Sequence, residues 1–197
     1  MNKMLLLAGV AAVLVASNAN AVELNPYVGA KLRYVDMSND AELGAEISAD
    51  DKVWGGSVAF GVATQVKGGA VRAELEYNLN EDAKKTLGGG IKAKIETQSA
   101  MANLYYDIDT GTKFTPYVGA GLGYAKVKGS LSLAGVSESM DDNNFAWQVG
   151  AGASYALNSN VSLDAGYRYV DYGDFTKDEV KLDTSAHELY VGARYAF

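Results

Sequence analysis

Cysteine is absent from this chain of 197 residues, proline occurs only at Pro26 and Pro116, and His187 is the single histidine. Without thiols, disulfide cross-links are excluded, so stability must come from backbone pairing and packing. A basic stripe is missing too: the formal charge is −7, which rules out a nucleic-acid surface. After residue 15 no apolar run approaches the roughly 20 residues that a spanning helix needs, so any membrane crossing is not helical.

What is present begins with an export pattern. Lys3 precedes an apolar run at 4–15 (MLLLAGVAAVLV), followed by small residues at Ala19 and Ala21. This predicts a signal peptide over 1–21 and a mature domain over 22–197, whose charge is −8 once Lys3 is gone. No linker composition divides the remainder, so one domain is expected.

The mature sequence alternates apolar and polar residues over eight stretches, at 25–36, 53–65, 70–80, 94–108, 114–128, 145–157, 161–172 and 185–197. Alternation with period two is the signature of strands. The second and third are joined by Lys67-Gly68-Gly69, the fourth and fifth by DTGTK, and the sixth and seventh by Asn158-Ser159-Asn160, all hairpin turns. Longer polar stretches at 38–51, 81–92, 129–144 and 173–183 are expected as loops on the opposite rim. Short turns alternating with long loops, and an even strand count, predict an all-β fold: an eight-stranded antiparallel transmembrane up-and-down β-barrel. A soluble sandwich would also alternate, but its crossovers give no reason for strict alternation of turn and loop size.

Parity assigns the two faces. In the last strand Leu189, Val191, Ala193, Tyr195 and Phe197 share the lipid side, against Glu188, Tyr190, Gly192 and Arg194 inside. Aromatic residues at Phe114, Tyr124, Phe145, Tyr155 and Phe197 fall near the ends of outward faces, as interfacial girdles require. Both prolines belong to one pentapeptide, PYVGA, at 26–30 and 116–120, and YVGA returns at 190–193. Each proline is expected at a strand's entry, where a missing N–H costs least, with Gly29, Gly119, Gly121 and Gly123 facing the interior. A cylinder of eight strands is filled by side chains. The inward charges by parity are Lys31, Arg33, Arg72, Arg168 and Arg194 against Glu74, Glu76, Asp107, Asp164 and Glu188, five of each sign. That balance points to a packed ionic lumen, whereas a selective channel would show an excess of one sign.

The segments PYVGAGLGYA, NLYYDI, DAGYRYVDYGDF and ELYVGARYAF together resemble the opacity-type surface proteins and, more broadly, the outer membrane protein A-like eight-stranded barrels. The resemblance implies an outer membrane location with periplasmic termini and outer loops presented outside the cell. It also implies that Leu189, Val191, Tyr195 and Phe197 form the C-terminal signal read by the barrel insertion machinery. A peptidoglycan-binding segment is not seen after the last strand, so no cell-wall tether is expected. Membrane lipid and lipopolysaccharide are the expected surroundings; an extracellular ligand is unknown, and a closed barrel with no free edge is expected as a monomer.

Chemistry is not expected. His187 falls on the outer face near the loop rim, and Ser185 and Asp183 on one strand end do not converge as a nucleophile and its base do. The acidic stretch 40–51 and Asp141-Asp142 lack the ordered spacing of a calcium loop, so no metal and no cofactor are expected. Lys84, Lys85, Lys92 and Lys94 form a local basic patch suited to lipid phosphates. Three functions compete: a structural surface protein with a plugged lumen, a small porin-like channel or transporter of small or hydrophobic solutes, and an adhesin.

Overall fold

A computed structural model describes residues 23–42, 46–80, 83–87, 91–133, 136–177 and 180–197, with side chains at 23–36, 52–80, 98–126, 144–173 and 185–197. The expected signal peptide, 1–21, lies outside these residues. The strands are β1 (Asn25–Glu42), β2 (Glu46–Val66), β3 (Gly69–Asn80), β4 (Ala83–Leu87), β5 (Ile91–Ile108), β6 (Phe114–Leu133), β7 (Val136–Ala156), β8 (Val161–Lys177) and β9 (Val180–Ala196). Sequential strands pair antiparallel except β3 and β4, which both lie along β5, and β9 pairs with β1. The ring therefore closes as eight staves, with β4 continuing the line of β3. Among the described residues no helix is long and apolar enough to cross a membrane; the closed ring of strands satisfies its own backbone, as a crossing through hydrocarbon requires.

Local chemistry sets the turns. Gly68 takes φ +86°, a left-handed conformation that suits the tight link between β2 and β3. Asn158 accepts from the backbone N–H groups of Asn160 and Val161, shaping the link between β7 and β8. The two prolines stand at the second position of β1 and the third of β6, slightly inside the expected first positions. At both, pairing with one neighbour starts a residue later, at Tyr27 against Ala196 and at Tyr117 against Asp107, so the missing donors fall where that ladder has not begun.

The staves are longer than the sequence pattern suggests. The stretches expected as loops are largely strand: β1 runs to Glu42, β2 starts at Glu46, and β6 and β7 reach Leu133 and Val136. A bilayer needs only about 9–11 residues per strand, so staves of 17 to 21 residues project well past it. The sequence there does not keep the alternation of apolar and polar residues that marks the spanning segments. In the projecting part, β2 goes on beyond its last partner in β3, Gly55 against Asn80, and β7 beyond its last partner in β8, Trp147 against Asp171. Among the described residues, the wall thus divides into two four-stranded sheets, β2–β1–β9–β8 and β4–β5–β6–β7.

Outward aromatic rings mark two levels. Phe114, Tyr155, Tyr195 and Phe197 lie near the turns, and Tyr34, Trp54, Tyr77, Tyr124, Phe145 and Trp147 lie toward the hairpins. Phe114 stands opposite Tyr155, and Tyr124 opposite Phe145, ten positions further along both strands. At about 3.3 Å per residue this is about 33 Å of strand, and a tilt of about 40° reduces it to about 25 Å, the height of a barrel's apolar band. Between the levels Leu32, Val58, Val118, Leu122 and Val191 are each between 51% and 60% exposed. So large a continuous apolar wall is stable only against hydrocarbon. Ala73 departs from the pattern: outward by parity, it is 3% exposed, covered between Val62 and Leu104 on the flanking strands.

Candidate functional site: the charge-paired lumen

The ten charged residues that parity places inside are brought into one interior. Near the turns, Arg72 donates to both oxygens of Asp107 (2.7 and 2.8 Å), and Arg194 does the same to Asp164 (2.7 and 3.0 Å) while reaching Ser154 (2.9 Å). Such forked pairs fix geometry as well as charge. Above them runs a chain of alternating sign. Lys31 donates to Glu74 (2.8 Å) and Glu76 (3.0 Å), Arg168 to Glu76 (3.0 Å) and Glu188 (2.6 Å), and Arg33 to Glu188 (2.9 and 3.1 Å). Both oxygens of all five carboxylates accept a hydrogen bond. Ser57 and Asn103 complete Glu76, while Tyr27 and Tyr172 complete Glu74 and Glu188. Arg33, Glu74 and Glu188 are each at most 1% exposed. Removing ions this far from water is tolerated only because each finds its counter-charge.

Neutral groups finish the packing. Gln148 donates to Asn103, and Arg168 to Asn78. The Arg72 guanidinium lies between the Tyr105 and Tyr117 rings, 4.6 and 4.9 Å from their centroids, and the Lys31 ammonium between Tyr105 and Tyr190. Part of the sequence signal for these lies in the repeated motif, which supplies three of the inward tyrosines. Tyr27, Tyr117 and Tyr190 begin the shared YVGA of its three copies, and each stands directly opposite a glycine of a neighbouring strand: Gly61, Gly152 and Gly166. Tyr105 faces Gly119 in the same way. A Cβ at Gly152 or Gly166 would come within 2.6 or 2.5 Å of the facing ring, so the ring occupies the volume that glycine vacates.

The other candidates divide. His187 lies on the outer wall, hydrogen-bonded through Nδ1 to the Tyr167 hydroxyl and beside the Tyr169 ring, within the upper aromatic band. Leu189, Val191, Tyr195 and Phe197 share the outer face of β9, and the Phe197 N–H donates to the Pro26 carbonyl across the junction of first and last strands. The side chains of Asp183, of the 40–51 acidic stretch, of Asp141 and Asp142, and of Lys84, Lys85, Lys92 and Lys94 lie outside the described residues. Among the described residues no group of three potential ligands is placed to hold a metal.

A closed ring of strands, girdled by aromatics outside and filled by matched charges within, defines an outer membrane β-barrel protein. The chain belongs to the outer membrane protein beta-barrel domain family, whose model matches residues 5–197. The solved structure of Neisserial surface protein A is similar at 27% identity with a TM-score of 0.66, covering 87% of this chain and 97% of that one. Outer membrane protein PagN of Salmonella typhimurium is 33% identical over 125 residues, 54% of this chain and 52% of its own, so the match spans about half of that relative. An opacity protein of Neisseria gonorrhoeae, of the group the sequence motifs resemble, is 29% identical over 152 residues, 63% of this chain and 62% of its own.

Proposed function

We propose that the protein is a non-conducting structural element of the outer membrane whose four hairpins form its interaction surface. The observation that carries this is the internal pairing of the lumen charges: among the described residues five cations meet five carboxylates, and each of those carboxylate oxygens has a donor. An ion entering would have to break pairs that only low dielectric makes strong, with no excess of either sign to attract it. On this reading residues 1–21 are removed on export, both termini are periplasmic, the barrel is a monomer without enzymatic activity, and Leu189, Val191, Tyr195 and Phe197 guide insertion. Lipid and lipopolysaccharide surround the wall. Planar-bilayer recording of the refolded mature chain tests the lumen reading: silence is expected, and steady single-channel steps would favour the porin-like alternative.

The long projection of β6, β7, β8 and β9 favours adhesion as a second reading, because it carries backbone well clear of the lipid surface. Cells expressing the chain with and without residues 129–142 and 174–180 should then differ in attachment to a receptor-bearing surface.

A further inference from the structure

Toward the hairpins the inward positions change character. On β1 they read Tyr27, Gly29, Lys31, Arg33 and then Val35; on β9 Arg194, Gly192, Tyr190, Glu188 and then Ala186; on β7 Ser154, Gly152, Gly150, Gln148 and then Ala146. Val35, Met101, Ala125, Ala146, Val170 and Ala186 form one buried apolar cluster, each at most 2% exposed, contributed by β1, β5, β6, β7, β8 and β9. Tyr172 joins it and sends its hydroxyl down to Glu188 (3.2 Å), so the cluster sits directly on the alternating-charge chain. On the remaining side Arg33 reaches across to Asn80 (2.6 Å).

The placement is the reverse of what solvation alone favours. Polar side chains cost least nearest external water, and the outer wall already supplies the apolar face that the membrane demands. At the turn end the interior is less closed: the side chains of Asp107 and Arg194 are 12% and 13% exposed. We propose that the apolar layer is a water-excluding seal on the extracellular side of the lumen, and that the ionic chain beneath it is reached from the periplasmic side alone. A hydrophobic constriction stops ions by refusing their hydration shells, without binding them. The proposal rests on the plugged-lumen reading and names the element that closes it toward the outside.

The chain has no cysteine, so a single introduced thiol reports access cleanly. Ser57 lies opposite Lys31 and donates to Glu76, beneath the layer. Ser57→Cys on intact cells that lack general porins, treated with a charged, membrane-impermeant methanethiosulfonate that therefore stays outside, should react slowly. Adding Met101→Ser with Val170→Ser, which touches no ion pair, should raise the external rate at least tenfold. Adding Arg72→Met with Asp107→Asn, which opens the charged interior beneath the layer away from the reporter and keeps the charge balance, should leave it unchanged. Migration of unboiled samples on a gel confirms that each variant is a folded barrel. Unchanged external labelling in the folded serine variant, or faster labelling in the charge-pair variant, would overturn the seal. Conduction by the parent chain in planar bilayers would instead overturn the plugged lumen itself.

Discussion

Replacing Arg168 by methionine is the sharpest probe of the interior. Its guanidinium contacts Glu188 at 2.6 Å, Glu76 at 3.0 Å and Asn78 at 3.1 Å, and the residue is 4% exposed. Methionine retains much of the apolar volume but leaves a net negative lumen. Breaking a buried pair from one side costs about 3–5 kcal/mol. Here each carboxylate keeps a second cation, Lys31 for Glu76 and Arg33 for Glu188, which puts the expected loss at the lower end, about 3 kcal/mol. That is a shift of about a hundredfold in the folding equilibrium. Adding Glu76→Gln restores neutrality, leaves Lys31 paired with Glu74, and should bring the loss back to about 1 kcal/mol, about 2 kcal/mol less than the single variant loses. Urea titration in lipid vesicles, with the folded fraction read from unboiled gel migration, gives both numbers. A single variant within about 0.5 kcal/mol of the parent, or a double variant that loses the sum of the two single losses, would show that the charges are screened by water and that the chain of pairs is not a unit.

Gly166→Ala should be strongly destabilising because its Cβ meets the Tyr190 ring, and Tyr190→Ala should rescue much of that loss; the same urea titration reads both. Val191→Arg, midway between the aromatic levels and 58% exposed to lipid, should cost about 2–4 kcal/mol, whereas arginine in place of exposed Ser159 in the turn should be near neutral. Gly68→Ala, at φ +86°, should cost about 1 kcal/mol without altering the unboiled migration of the folded form.

The alternation of the spanning segments made both walls legible, because each residue there must satisfy either hydrocarbon or a crowded interior. The ten lumen charges could be named from parity for that reason. Above the upper girdle the alternation lapses: β6 continues through Lys128, Ser130 and Ser132, where composition reads as loop although the backbone stays paired. The apolar layer was hidden differently. Val35, Met101 and Ala146 come from separate strands, each an unremarkable residue in its own segment, and only the closed ring brings them together. Asn103 and Gln148 carry no charge, so nothing in the sequence sets these amides apart as partners in the lumen.

Two-residue periodicity specifies which way a side chain points but is indifferent to sliding a strand by two places, since every residue then keeps its side. The tyrosine and glycine pairs remove that freedom. Moving β9 two places along β8 would set Tyr190 against Asp164 or Arg168 in place of Gly166, where no room exists for the ring. Four such pairs, on the β1–β2, β5–β6, β6–β7 and β8–β9 junctions, act as keys that admit one stagger around the cylinder and thereby select its girth and tilt.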